Sequence, residues 1–393
     1  MLTSIAIIII SGMCLGTLFQ KLKLPSLMGY IIAGMIISPY ALNLMSDSLL
    51  SVAADLRQVA LIIILTRAGL SLDIEDLKRV GRPAVLMCFV PACFEMLGVT
   101  LLAPKLLGVS VLEAALIGSV IAAVSPAVIV PRMIKLIEEG WGKEHSIPQM
   151  ILAGASVDDV FVIVVFYSFL SLASSGTMDV VKFVTIPISI VFGILVGCII
   201  GYLVVLFFKK FHFRDTIKVL LMLSISFLLV EMETQLKALN IPVSGLLAIM
   251  SMGIMIKRCH GEMAKRVQTK YNKLWVGGEL VLFVLVGVAT NLQYAMMKGV
   301  SAILVVVGAL CIRMIGVFVC LLKTQLTKNE RLFCMMAYTP KATVQAAIGA
   351  IPLTYGLACG NTVLTVAVLA ILITAPFGAI CVDHFYPKLL GKD

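Results

Sequence analysis

The sequence predicts an all-α polytopic membrane protein of about thirteen transmembrane helices. Three observations carry that fold class. Of 393 residues, 61% are hydrophobic and only 13% charged, where soluble chains carry roughly a quarter charged residues. Mean hydropathy is +1.09. The apolar runs are long and continuous rather than alternating, which excludes a transmembrane β-barrel. Every connection between them is too short to hold a soluble domain. The formal net charge of +10 is accounted for by basic loops that orient a membrane protein, so nucleic acid is not implied as a partner.

The runs fall at roughly 2–19, 24–43, 50–71, 82–104, 110–134, 147–173, 180–207, 215–234, 240–257, 274–295, 299–322, 330–356 and 361–383. Most are near the roughly 20 residues that cross a hydrocarbon core. The first lacks a basic start and a small-residue cleavage site, so it reads as a helix and not as a signal peptide. The second opens on Leu24-Pro25, and the third carries Arg67 near its end. The fourth holds Glu95. The fifth is interrupted by Ser125-Pro126, and the sixth holds Asp158 and Asp159. In the seventh, Gly193, Gly197 and Gly201 form a small-residue stripe suited to close helix packing. The eighth ends near Glu231 and Glu233, and the ninth opens on Ile241-Pro242. The tenth reads Leu285-Val286-Gly287-Val288-Ala289-Thr290-Asn291. The eleventh holds Arg313, the twelfth is interrupted by Thr339-Pro340 and carries Lys341, and the thirteenth closes the series.

Basic residues give the orientation. With the N-terminus outside and the C-terminus cytoplasmic, inner connections hold 23 of the 31 Lys and Arg residues and outer ones hold 5, the bias of a positive-inside protein. The expected location is the plasma (inner) membrane. The remaining three, Arg67, Arg313 and Lys341, lie inside spans. The ten cysteines are scattered with no C-x-x-C and read as small apolar residues. No nucleotide-binding fingerprint is present, so transport driven by ATP is not expected, and no cofactor is implied.

The two halves repeat each other. Ser125-Pro126-Ala127-Val128 resembles Thr339-Pro340-Lys341-Ala342, Leu72-Asp73 resembles Leu292-Gln293, and Leu24-Pro25 resembles Ile241-Pro242. The three pairs keep their order and a nearly constant offset along the chain. Repeat one then covers about 1–175 and repeat two about 215–388, with a linker helix at about 180–207. The repeats lie seven spans apart, an odd number, which gives them inverted topology. Proline removes a backbone donor and clashes with the preceding turn. Freed backbone groups survive at membrane depth only where they are buried in protein or line a cavity. Two broken helices in inverted halves are expected to cross near the midplane, where secondary transporters hold their cargo.

Charges inside the membrane are costly and point to function. Glu95 and Arg313 are separated by the same nearly constant offset, which puts them at equivalent places in the repeats. They are expected to form a structural ion pair, since either alone would be expensive. Lys341, beside the second break, is the best candidate to compensate Asp158, or else to hold its ammonium near the crossing where two partial helix dipoles meet. Asp159 then remains. Its expected lining is Ser125, Pro126, Ser156, Thr343 and freed carbonyls, oxygen ligands that suit a small hard cation. A buried carboxylate of this kind takes either a proton or a metal ion, and that competition gives exchange.

In these residues the chain resembles the monovalent cation/proton antiporter superfamily, in its double-aspartate branch, and within it the animal solute carrier 9B type of sodium/proton antiporter. The resemblance rests on Arg67-Ala68-Gly69-Leu70-x-Leu72-Asp73, Ala123-Val124-Ser125-Pro126-Ala127-Val128-Ile129-Val130-Pro131, Ala153-Gly154-Ala155-Ser156-Val157-Asp158-Asp159 and Pro340-Lys341-Ala342-Thr343-Val344-Gln345-Ala346-Ala347-Ile348-Gly349, and covers nearly the whole chain. It implies the sodium/proton antiporter fold, a homodimer, elevator-type alternating access, and Asp159, with Asp158 beside it, holding transported Na+ or Li+ in competition with protons. One departure stands out. Several bacterial relatives carry a lysine on the span equivalent to the tenth, paired with the first Asp; here that span has none, and Lys341 is the expected substitute. A K+/proton antiporter or K+ efflux protein is the alternative, and behind it a sodium-coupled organic anion symporter. An intramembrane aspartyl protease is excluded, because two adjacent aspartates on one helix do not face each other across a scissile bond.

Overall fold

The computed structural model describes residues 1–71, 81–175, 180–238 and 243–392. The regular structure there is helical: α1 (Leu2–Lys21), α2 (Ser26–Ile37), α3 (Asp47–Leu50), α4 (Ala53–Ser71), α5 (Arg82–Met87), α6 (Val90–Leu107), α7 (Val111–Ile121), α8 (Pro126–Glu139), α9 (Ile147–Ser175), α10 (Val180–Lys210), α11 (Asp215–Ala238), α12 (Gly245–Cys259), α13 (Gly261–Ala289), α14 (Leu292–Cys320), α15 (Lys328–Ala337), α16 (Thr343–Ile348), α17 (Ile351–Thr354) and α18 (Gly360–Leu389). Leu72-Asp73 and Ile241-Pro242, two of the motifs that align the repeats, lie outside the described residues.

Among the described residues eight stretches are long and apolar enough to cross a membrane: α1, α5 with α6, α7 with α8, α9, the later part of α10, α13, α14 and α18. The other expected spans coincide with α2, α4, α11, α12 and the broken series α15 to α17. Of these, α2 has 12 residues and α12 has 15, short of the roughly 20 that a bilayer asks of a straight helix. The outward faces of the long helices carry exposed Ile9 and Met13 on α1, Val191, Leu195 and Ile199 on α10, and Val300 and Leu304 on α14. Contiguous exposed apolar side chains of this extent fit lipid contact.

The chain divides into two compact units. The first comprises Met1–Ala54, Ile74–Ser174 and Leu282–Asp393, and the second Asp55–Asp73 and Ser175–Val281. In the first, a core cluster joins Val124 and Ile129 beside the first break, Ile151 and Ala155 of α9, and Phe333, Ala337 and Tyr338 leading into the second break. Both broken helices begin on a capping box. Ser110 Oγ accepts from the Glu113 N–H at 3.2 Å while Glu113 Oε2 accepts from the Ser110 N–H at 2.8 Å; Thr327 and Glu330 repeat the arrangement at 3.2 and 2.7 Å. Each box satisfies two of the donors that a helix start leaves free.

Where α2 crosses α13 in the first unit, close packing depends on glycine. A Cβ on Gly34 of α2 would collide with the Val284 carbonyl of α13 and come within 2.9 Å of Gly287 Cα. Gly34→Val is expected to destabilise the protein by about 1–3 kcal/mol through overpacking, read as a lower melting temperature in detergent; unchanged melting would contradict this crossing. In the second unit the glycine stripe of α10 packs on α12. A Cβ on Gly193 would lie 2.6 Å from the Ser244 carbonyl, and one on Gly201 2.7 Å from the Met252 carbonyl.

The loop between α8 and α9 is tied to the start of α15. His145 Nδ1 lies 2.9 Å from Glu330 Oε1. That hydrogen bond, with the charges of Glu330 and Glu144, holds the imidazole above its ordinary value of 6.5. A group raised on folding stabilises fully below its unfolded value, and the contribution is lost as pH rises through the folded one. Melting temperature is therefore expected to fall, as pH rises from below 6.5 to well above it, by more in the wild type than in His145→Gln. Parallel melting profiles would remove this contribution.

Candidate ion-binding site

The site is built on two places where a helix stops inside the first unit. After α7 the chain leaves helical geometry over 122–125 and resumes at Pro126, the first residue of α8. Proline suits that position because the first helical residue needs no N–H. After α15 the chain is non-helical over 338–342 and resumes at Thr343. The breaks touch: the Ser125 N–H donates to the Pro340 carbonyl at 2.8 Å.

A broken helix leaves backbone groups that must find partners when buried, and other elements supply them. The Ile121 and Ala123 carbonyls accept from Gln345 Nε2 at 3.4 and 2.9 Å. The Ala122 carbonyl accepts from Arg313 Nη1. The Val124 N–H donates to Asp158 Oδ2 at 2.8 Å. At the second break, the Tyr338 carbonyl accepts from Arg313 Nε at 3.0 Å, and the Lys341 N–H donates to Thr374 Oγ1 at 3.0 Å. Thus in each half a break N–H is taken by a side chain of the next long helix, α9 in one and α18 in the other.

Four buried charges surround these breaks. Arg313 Nη1 lies 2.7 Å from Glu95 Oε2, Lys341 Nζ lies 2.7 Å from the same oxygen, and Arg313 Nη2 lies 3.3 Å from Asp158 Oδ2. All four side chains are fully buried. This corrects the expected partnership of Lys341. Its ammonium reaches Glu95, and the cation beside Asp158 is Arg313. The reason is geometric: Arg313 presents a planar fork that spans Glu95, Asp158 and two backbone carbonyls at once, while Lys341 presents one point charge that Glu95 satisfies. The Arg313 guanidinium also sits 5.6 Å from the centre of the Tyr338 ring. Gly154 of α9 leaves room for Tyr338, whose hydroxyl a Cβ there would strike.

Ionised, these four groups balance: two carboxylates against two cations. Asp159 is left over. It is buried, with 9% of its surface exposed, and among the described residues no basic side chain pairs with it. Asp159 Oδ1 lacks a hydrogen-bond partner among the described residues, as do Asp158 Oδ1, Ser125 Oγ and Thr343 Oγ1. The breaks therefore bring Ser125, Pro126, Asp158, Lys341 and Thr343 together, with Glu95 and Arg313 behind them. The side chain of Ser156 lies outside the described residues. Sequence reasoning missed Tyr338, Gln345 and Thr374. Their signal was position: polar residues at, or on the helix after, a proline break, where freed backbone groups require partners.

Comparison with known proteins gives the family and the fold. The family model described as sodium/hydrogen exchanger, transmembrane, matches residues 5–385. Human sodium/hydrogen exchanger 9B2 is 32% identical over 386 residues, covering 94% of this chain and 70% of the relative. Human sodium/hydrogen exchanger 9B1 is 30% identical over 349 residues, covering 86% and 67%. The structure of the sodium proton antiporter MjNhaP1 from Methanocaldococcus jannaschii at pH 8 superposes with a TM-score of 0.85 at 20% identity, covering 98% of this chain and 97% of that one. At that identity the likeness shows the fold.

Proposed function

The chain belongs to the sodium/hydrogen exchanger family, and from that premise we propose that it exchanges Na+ or Li+ for protons across a membrane, with Asp159 as the group that ion and proton share. Family membership makes it an integral multi-pass transporter and not an enzyme. One observation carries the assignment to Asp159: among the described residues this buried carboxylate is left without a cation once Glu95, Asp158, Arg313 and Lys341 have neutralised one another. An uncompensated charge at this depth is costly. A proton or a bound metal cation each relieves the cost, and only one can do so at a time. Asp158 Oδ1, Ser125 Oγ and Thr343 Oγ1 are the oxygens that complete the shell of a small hard cation.

The finer reading is of thirteen spans in two inverted repeats, acting as a homodimer by elevator-type alternating access in the plasma membrane, N-terminus out and C-terminus in. Paired breaks, capping boxes at matching places in the two halves and matching captures of break N–H groups support the repeats. An elevator is favoured because every residue of the site falls in one compact unit. The test uses purified protein in liposomes with an internal pH dye, challenged with sodium, lithium or potassium in turn. A pH change driven by sodium or lithium supports the proposal. A response to potassium alone favours a K+/proton antiporter, and no response to any cation defeats exchange and makes uptake of sodium with organic anions the next assay.

A further inference from the structure

Gln345 stands on α16 at the second break, fully buried, and the exchange reaction gives it no task so far. Its amide is oriented by its partners. Nε2 donates to the Ala123 carbonyl at 2.9 Å and reaches the Ile121 carbonyl at 3.4 Å. Both partners are acceptors, so the nitrogen must face them and Oε1 must point away. In that direction Oε1 meets no donor among the described residues. A buried amide oxygen left without a partner is expensive, and a hydrocarbon side chain of this size would avoid the cost.

The surroundings indicate what answers it. Around the breaks the N–H groups of Val124, Ser125 and Lys341 are taken by Asp158, Pro340 and Thr374, and Arg313 by Glu95, Asp158 and backbone carbonyls, while the hydroxyls of Ser125, Thr343 and Tyr338, which turn to donate or accept, meet no partner among the described residues. Oxygens in surplus remain on Asp158, Asp159, Ser125, Thr343 and Gln345. A buried region that gathers carboxylate, amide and hydroxyl oxygens suits a small hard cation, since the hydroxyls turn their lone pairs to it.

We propose that Gln345 is a specificity-determining residue, whose Oε1 is a neutral ligand for the transported cation, held in place by the clamp of its amide nitrogen on the end of α7. The proposal rests on the exchange reading above and deepens it. A neutral oxygen adds coordination without adding a proton site. Losing it therefore weakens the cation and leaves the competing proton alone. For competition at one carboxylate, the plot of log sodium KM against pH should shift upward in parallel, with its slope unchanged.

The experiment measures sodium- and lithium-driven exchange in liposomes over a range of pH for wild type, Gln345→Met and Gln345→Asn. Met removes both oxygen and clamp; Asn keeps an amide one methylene too short to serve both. Gln345→Met is expected to raise the sodium KM about tenfold, the equivalent of about 1.4 kcal/mol, in parallel across pH, to alter the sodium-to-lithium KM ratio, and to change kcat far less. Gln345→Asn is expected to do the same by a smaller factor, and decides the matter if Gln345→Met does not fold. An unchanged sodium KM in a folded variant overturns the proposal. So does a change of slope with pH, or a failure of both variants to fold, since either would make the amide a structural clamp only. If the wild type itself shows no exchange, the exchange reading has failed instead, so the two failures are told apart.

Discussion

Asp159→Asn is expected to reduce sodium- or lithium-driven proton movement to the level of empty liposomes while leaving the protein folded. The substitution keeps the shape of the side chain and removes the charge that ion and proton share. Because Asp159 Oδ1 takes no hydrogen bond from the described residues, the substitution strands no donor at that oxygen among them, and melting in detergent should change little. Asp158→Asn is a different case. Asp158 accepts the Val124 N–H and faces Arg313, so its loss should lower stability as well as transport. Retained exchange in Asp159→Asn would remove Asp159 from the mechanism.

Glu95→Gln is expected to cost stability first. Glu95 Oε2 is the common acceptor of Arg313 and Lys341, both at 2.7 Å. Removing its charge leaves two buried cations facing Asp158 alone. Breaking a buried ion pair from one side typically costs about 3–5 kcal/mol, because the stranded charge has lost its water as well as its partner. Most of the folded yield should disappear, and what remains should melt at a lower temperature. Replacing Glu95 and Arg313 together, as Glu95→Gln with Arg313→Met, should recover part of the loss relative to Glu95→Gln, since the stranded guanidinium is gone. A Glu95→Gln protein that melts normally but does not transport would move Glu95 from support into the ion path.

How far the sequence discloses this molecule depends on which physics is local. Composition and run length disclose a helical membrane protein. They do not separate thirteen spans from the eight that satisfy length and apolarity among the described residues, because α2, α12 and the pieces of the broken series α15 to α17 are shorter than a bilayer, while α4 and α11 have the length and carry more charge. The breaks at Ser125-Pro126 and Thr339-Pro340 are legible because proline acts on its own backbone. Contacts between side chains from distant segments are less so. The repeat alignment points from Glu95 to Arg313, but nothing in the chain points from Glu95 to Lys341, or from Arg313 to Asp158. Those choices follow from the reach of a guanidinium fork, which only the fold reveals. The two halves are also not the compact units. The unit that carries the site draws on both ends of the chain and on the stretch from Ile74 to Ser174, and the contiguous halves of the sequence give no hint of that interleaving.

Exchange by this route requires one buried carboxylate, Asp159, to hold either a proton or a metal cation, never both. Calorimetric titration of sodium or lithium into purified wild-type protein, repeated in buffers of different ionisation heat, counts the protons released as the cation binds. About one proton is expected to be released per cation bound at a pH where Asp159 is protonated in the sodium-free protein, with neither binding nor release in Asp159→Asn. Cation binding with no proton release in the wild type, or binding that persists in the variant, would contradict it.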